Sequence, residues 1–103
     1  MINLLVLKET FESEKRVALV PDEVKKYFDL GFKVTIEKDA GIKSGFLNED
    51  YKKHSANVSQ NIEKSIKESD IIIKIQKPDT RIIKEIKIGA ILIGLLSPKK
   101  KFI

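Results

Sequence analysis

The sequence predicts an α/β domain built on an open, mainly parallel sheet. Short apolar, β-branched runs alternate along the chain with stretches of helical periodicity, the signature of repeated strand–helix–strand units. The run Ile71-Ile72-Ile73-Lys74-Ile75 is nearly continuous in its apolar character, as in a central parallel strand buried on both faces. The helical stretches begin and end on proline, acidic-turn and glycine signals.

The first strand is Ile2-Asn3-Leu4-Leu5-Val6-Leu7. After a charged loop, Pro21-Asp22-Glu23 starts a helix that runs to Leu30, with Gly31 as its stop. Val24, Tyr27 and Phe28 share a face of this helix, which is expected to pack on the sheet. Phe32, Val34 and Ile36 alternate along a second strand that ends at Glu37. Asp39 to Phe46 is a loop that could border a site. Its Gly41 and Gly45 do not make a G-x-G-x-x-G phosphate turn and read as positions of positive φ. Asn48 reads as the N-cap of a short helix through His54, itself a surface residue beside lysines. Ala56 to Ser59 forms a short third strand, and Ser59 or Asn61 caps a helix that carries Ile62 and Ile66 and ends near Ser69. The fourth strand follows Asp70 and stops at Gln76-Lys77-Pro78. Asp79 caps a helix whose Ile82, Ile83 and Ile86 share a face, Gly89 ends it, and Ala90 to Leu96 is a last buried strand, with Gly94 allowing a close approach. Together these make a sheet of about five strands with helices on both faces, Rossmann-like or flavodoxin-like.

Composition narrows the chemistry. The chain has 103 residues, enough for one core. No cysteine is present and His54 is the only histidine, which excludes thiolate catalysis, disulfides and histidine-rich metal sites. No run approaches the roughly 18 apolar residues of a membrane helix, so no direct membrane insertion is expected. The N-terminus has no basic lead-in and no small-residue cleavage site, so no secretory signal is expected. The net charge of +5 does not imply nucleic acid: only Arg16 and Arg81 are arginines, and the lysines interleave with carboxylates on expected helix faces.

Two cations stand out. Arg16 lies in the loop after the first strand among Glu9, Glu12, Glu14 and Lys15. Ligands of open α/β sheets sit beyond the carboxyl ends of the strands, and a guanidinium there suits a carboxylate or phosphate. From spacing alone it reads first as a solvated cation paired with Glu12 or Glu14. Lys74 interrupts the fourth strand. It either snorkels to water from the strand end or is a cation held at the sheet's carboxyl edge near Arg16.

Five separated pieces resemble one family. They are K-E-T-F-E-S-E-K-R-V-A-L-V-P at Lys8 to Pro21, A-G-I-K-S-G-F at Ala40 to Phe46, Tyr51, D-I-I-I-K-I-Q-K-P at Asp70 to Pro78, and G-A-I-L-I-G-L-L-S-P at Gly89 to Pro98. Their order and spacing resemble the N-terminal part of alanine dehydrogenases and of the alpha subunits of proton-translocating NAD(P) transhydrogenases. The resemblance implies that Arg16 and Lys74 bind a substrate carboxylate or carbonyl oxygen. It implies no catalytic, cofactor-binding or metal-binding residue within this chain. Ser97 stands where alanine dehydrogenases carry a catalytic histidine, which makes the chain more like a transhydrogenase alpha subunit. Asp39 and Ser55 stand where the family usually has glycine, and Asn48 where it usually has aspartate, which hints at relaxed constraint.

The family's proteins are several times longer. Residues 1–103 are therefore expected to be the N-terminal part of the first domain, an incomplete domain with the dinucleotide-binding domain absent. That fits a fragment, a split subunit or a gene remnant, inactive alone. In the full complex the resemblance implies NAD(H) and NADP(H), none of it bound to this chain alone. It also implies the rest of the alpha subunit and a membrane-embedded beta subunit as partners. Homodimeric assembly and a cytoplasmic place peripheral to the inner membrane follow from the same likeness. The alternatives are an alanine dehydrogenase N-terminal fragment and a non-redox anion- or partner-binding module. A chain cut from its family in this way is expected to expose an apolar patch near Phe102, Ile103 and the helix of Ile82, Ile83 and Ile86, and to self-associate or need a partner.

Overall fold

The computed structural model describes residues 2–10, 13–76 and 80–94, with the side chain of residue 81 left aside. Five strands, β1 (Ile2–Val6), β2 (Phe32–Glu37), β3 (Asn57–Ser59), β4 (Ile71–Lys74) and β5 (Ile91–Gly94), form one sheet in the order β3-β2-β1-β4-β5. Every neighbouring pair is parallel. Four helices connect them: α1 (Pro21–Asp29), α2 (Asn48–Lys53), α3 (Ile62–Glu68) and α4 (Thr80–Glu85). The chain first builds outward from β1 to β2 and β3, then returns across β1 to add β4 and β5.

Right-handed crossovers made in opposite directions lie on opposite faces of a sheet. Two cores result. Leu4 and Val6 of β1 and Val34 and Ile36 of β2 pack with Val24 of α1 and Tyr51 of α2. Leu5, Leu7 and Ile72 point the other way and pack with Ile66 of α3, with Ile62, Ile82, Ile86 and Leu92 around them. The alternation of Leu4, Leu5 and Val6 between two buried faces is why β1 reads as a continuous apolar run.

The helix signals act as the residues suggest. Pro21 sits at the first turn of α1 with Asp22 and Glu23 beside it, and Gly31 (φ +101°) ends it. Asn61 caps α3, its side chain accepting from the Lys64 amide at 3.2 Å. Several expectations need correction. Of the three α1 residues expected on the sheet, only Val24 is buried; Tyr27 and Phe28 are exposed, Tyr27 standing edge-on to Phe32 with ring centroids 5.8 Å apart. β5 is an edge strand, not a buried one. Ile91 and Ile93 are 56% and 39% exposed because they continue the Leu4 face beyond the reach of α1 and α2. Ile91 and Ile93 thus add to the exposed apolar side chains, which also include Leu30, Leu47 and Ile88. Ile82 and Ile86 pack inward, Ile83 is exposed, and Phe102 and Ile103 lie outside the described residues. Gly41 has φ −97°, so only Gly45 (φ +87°) of that pair occupies the left-handed region.

Asn48 is the first residue of α2, not its cap; Asp50 accepts from the Leu47 amide at 2.7 Å. The Asn48 side chain instead holds Asp39, accepting from its amide at 2.8 Å and donating to its carboxylate at 2.9 Å. Asp39 and Ser55 both have positive φ, +64° and +76°. Asp39 and Asn48 are thus hydrogen-bonded partners, and an aspartate at 48 would repel Asp39. No described residue's side chain offers Ser55 a comparable hydrogen bond. Left-handed backbone costs a non-glycine residue about 1–2 kcal/mol, partly returned by glycine's looser unfolded chain. Ser55→Gly is expected to raise stability by about 0.5–1 kcal/mol in urea unfolding. Asp39→Gly should gain less, because it discards the bond from Asn48.

Candidate functional site

The reversal of strand order falls between β1 and β4, and the loops leaving the carboxyl ends of strands at such a switch are the usual place for a ligand in open α/β sheets. Arg16 lies in the loop after β1, and Lys74 is the last residue of β4. The structure joins them through a chain of hydrogen bonds.

Lys74 does not snorkel. Its side chain is 3% exposed, and its ammonium donates to Glu9 Oε1 at 3.1 Å. Glu9 is buried as well. Its Oε1 also accepts from the Gln76 amide at 3.0 Å, and Oε2 from the Ile75 amide at 2.8 Å. One carboxylate thus neutralises the buried ammonium and satisfies two backbone donors where β4 ends, as buried polar groups require.

Arg16 pairs with Glu14, as its solvated reading has it. The guanidinium Nε donates to Oε2 at 2.8 Å and Nη2 to Oε1 at 2.9 Å, while the Arg16 amide donates to Oε2 at 3.0 Å. Glu14 is buried, but the Arg16 side chain is 62% exposed, so its cationic head is open to solvent rather than set in the core. Gln76 completes the link, its side-chain amide donating to Glu14 Oε1 at 2.6 Å. The series runs Lys74, Glu9, Gln76, Glu14, Arg16. Glu9, Glu14 and Gln76 were not among the sequence-derived site residues. Their signal is indirect: a lysine inside an apolar strand requires a counter-charge, and this loop is rich in carboxylates.

The Arg16 bonds, with help from Gln76, hold the Glu14 carboxyl at about 2, below its ordinary 4.5. Its tie between the loops is complete above pH 4.5 and is lost as pH falls towards 2. The Gln76 side-chain amide and Arg16 Nε resonances should therefore move together on acid titration, with a midpoint well below 4. A midpoint near 4.5 would show that the pair does not persist in solution.

The glycine loop borders this assembly. The Ser44 hydroxyl donates to the Lys15 carbonyl, and the buried Tyr51 hydroxyl donates to the Leu19 carbonyl at 2.8 Å. Burial pushes the Tyr51 hydroxyl up to about 12, so it remains a donor. His54 stays peripheral, its Nδ1 2.9 Å from the Asp50 carbonyl. A separate cleft of about 220 Å³ is lined by Leu7, Lys8, Ile66 and Ile82 with Glu37, Glu63 and Glu85 among its other walls. Neither Arg16 nor Lys74 lines it, and its carboxylates disfavour an anion. Among the described residues no group of three or more His, Cys, Asp or Glu side chains could hold a metal, and no helix is long and apolar enough to cross a membrane. Ser97 lies outside the described residues.

Comparison with known proteins gives this geometry its relatives. Residues 5–101 match the family model "Alanine dehydrogenase/PNT, N-terminal domain". Alanine dehydrogenase 1 of Staphylococcus aureus is 38% identical over 91 residues, which cover 88% of this chain and 24% of that protein. Among solved structures, the transhydrogenase from Sinorhizobium meliloti superposes with a TM-score of 0.85 at 32% identity, over 93% of this chain and 28% of that one. An L-alanine dehydrogenase superposes with a TM-score of 0.80 at 27% identity, over 88% and 25%. The chain spans about a quarter of the length of the curated relatives it matches. By sequence match over nearly its whole length and by superposition of its sheet, the chain belongs to the alanine dehydrogenase/PNT N-terminal domain family.

Proposed function

We propose that this chain supplies the substrate side of an alanine-dehydrogenase-type oxidoreductase, with Arg16 and Lys74 holding a small carboxylate at the crevice between β1 and β4. The observation that carries the reading is the hydrogen-bonded series that ties both cations to the carboxyl edge of the sheet. Its charge supports it further. Two cations and two carboxylates sum to zero, which suits a zwitterion such as alanine better than a phosphate dianion. The described part of the loop between β1 and α1 has no glycine and brings no bare row of amides to a helix start, so the reading assigns NAD(H) to a part of the protein outside these residues.

The test is titration of the full chain with L-alanine, followed by the Gln76 and Arg16 side-chain resonances. Saturable movement is expected. Arg16→Lys should weaken binding about tenfold, because an ammonium keeps the charge and loses one arm of the two-pronged grip. No movement at any L-alanine concentration, or equal affinity in Arg16→Lys, would sink the reading.

A second reading rests on the superposition with the transhydrogenase, which has the higher TM-score of the two structures. In it the chain is the N-terminal part of a transhydrogenase alpha subunit, assembled with further subunits and serving hydride exchange between NAD(H) and NADP(H). It predicts that L-alanine leaves the crevice resonances unmoved.

A further inference from the structure

We propose that Glu9 is the positioning residue for Lys74, fixing where its ammonium stands at the carboxyl end of β4. The inference rests on the carboxylate site proposed above and adds a residue to it.

The geometry has three parts. Glu9 comes from the loop after β1, while its three donors, Lys74 Nζ and the amides of Ile75 and Gln76, all come from the end of β4. The two amides fix the carboxylate, so its Oε1 is a rigid point to which the flexible lysine stem is drawn. A lysine otherwise has many rotamers and no preferred direction, and a fixed acceptor removes that freedom before any ligand arrives. The pair is also poor value as a structural device. A buried ion pair is commonly no more stabilising than apolar residues of the same volume. β4 has isoleucine at 71, 72 and 73, and Ile75 follows it, so an apolar side chain at 74 would suit the fold. An ion pair of 3% and 2% side-chain exposure at the switch of strand order is better explained by use of the cation than by stability.

The position of Glu14 differs in kind. It holds an exposed arginine, whereas Glu9 holds a buried lysine. Loss of Glu9 therefore acts on the ammonium itself, with Arg16 and Glu14 still joined to Gln76.

The experiment uses the full chain labelled with 15N. A lysine ammonium held in a buried pair exchanges slowly with water and gives a 1H–15N signal, whereas exposed lysines do not; loss of the signal in Lys74→Met assigns it. The signal is expected in the parent chain and absent in Glu9→Gln, which keeps the size of Glu9 and discards its charge. The affinity for L-alanine should fall at least tenfold in Glu9→Gln. Glu9→Asp, one methylene short of reaching amides and ammonium together, serves if Glu9→Gln does not fold; it should shift the signal and weaken L-alanine measurably. No Lys74 signal in the parent chain, an unchanged signal in the Glu9 variant, or unchanged L-alanine affinity once the signal is lost would each overturn the proposal. A parent chain that shows the signal, loses it with Glu9 and binds no L-alanine would uphold the positioning of Lys74. It would overturn the alanine-dehydrogenase reading alone.

Discussion

Glu9→Ala is expected to cost the chain about 3–5 kcal/mol of stability, the range for leaving one member of a buried ion pair without its partner. Its three acceptor contacts disappear together. The Lys74 ammonium, 3% exposed, is left without a counter-charge, and the Ile75 and Gln76 amides lose their acceptors. Lys74→Met should cost less, about 1–3 kcal/mol, because Glu9 keeps both amide donors and methionine fills the lysine's path. The double variant should be more stable than Glu9→Ala alone, since it removes the stranded charge. Domains of this size have about 5–15 kcal/mol in all, so Glu9→Ala stands close to unfolding. Urea unfolding of the four chains measures the cycle. A Glu9→Ala loss below 1 kcal/mol, or strict additivity in the double variant, would mean that Lys74 reaches water in solution.

The same pair shows what the residues reveal before folding and what they do not. Arg16 and Lys74 were legible because each is anomalous in its place: one arginine in a carboxylate-rich loop, one lysine in an apolar strand. The strand order was legible only as alternation; the turn-back that brings the loop after β1 beside the end of β4 is a property of the assembled sheet. Their partners were not legible. Glu9 and Lys74 are 65 residues apart, and Gln76 and Glu14 are 62 apart. A buried lysine demands an anion, but Glu9, Glu12 and Glu14 offer the same chemistry, and only the path of the loop selects Glu9. Tyr27 and Phe28 failed for a related reason. Helical periodicity identifies an apolar face without saying how much sheet lies beneath it. Asn48 misled because its side chain serves equally as a helix cap or as a partner for the turn at Asp39, and local sequence does not separate the two.

Gly41→Ala is expected to destabilise the chain by about 1–3 kcal/mol, the cost of overpacking a filled core. Nothing in the backbone forbids alanine there, since φ is −97°. At such a position replacing glycine ordinarily gains about 0.4–1 kcal/mol through the unfolded chain. The sign is reversed by what the new methyl group would meet: Tyr51 Cε2 at 2.7 Å, Tyr51 Oη at 2.8 Å and Phe46 Cβ at 3.0 Å. Tyr51 cannot step aside cheaply. It is fully buried, lies edge-on to Phe46 with centroids 6.5 Å apart, and its hydroxyl is bonded to the Leu19 carbonyl. Leu19 belongs to the loop that carries Glu14 and Arg16, so strain at Gly41 should also move the Arg16 Nε resonance. Gly45→Ala provides the contrast. It has open space around it but φ +87°, so it should cost about 1–2 kcal/mol through conformation alone and leave Tyr51 untouched. In a Tyr51→Phe background the Gly41→Ala cost should shrink, because one of the two ring contacts is gone and the ring is no longer tied to Leu19. The Gly45→Ala cost should not change. Equal behaviour of the two glycines in both backgrounds would show that Gly41 is not held by Tyr51.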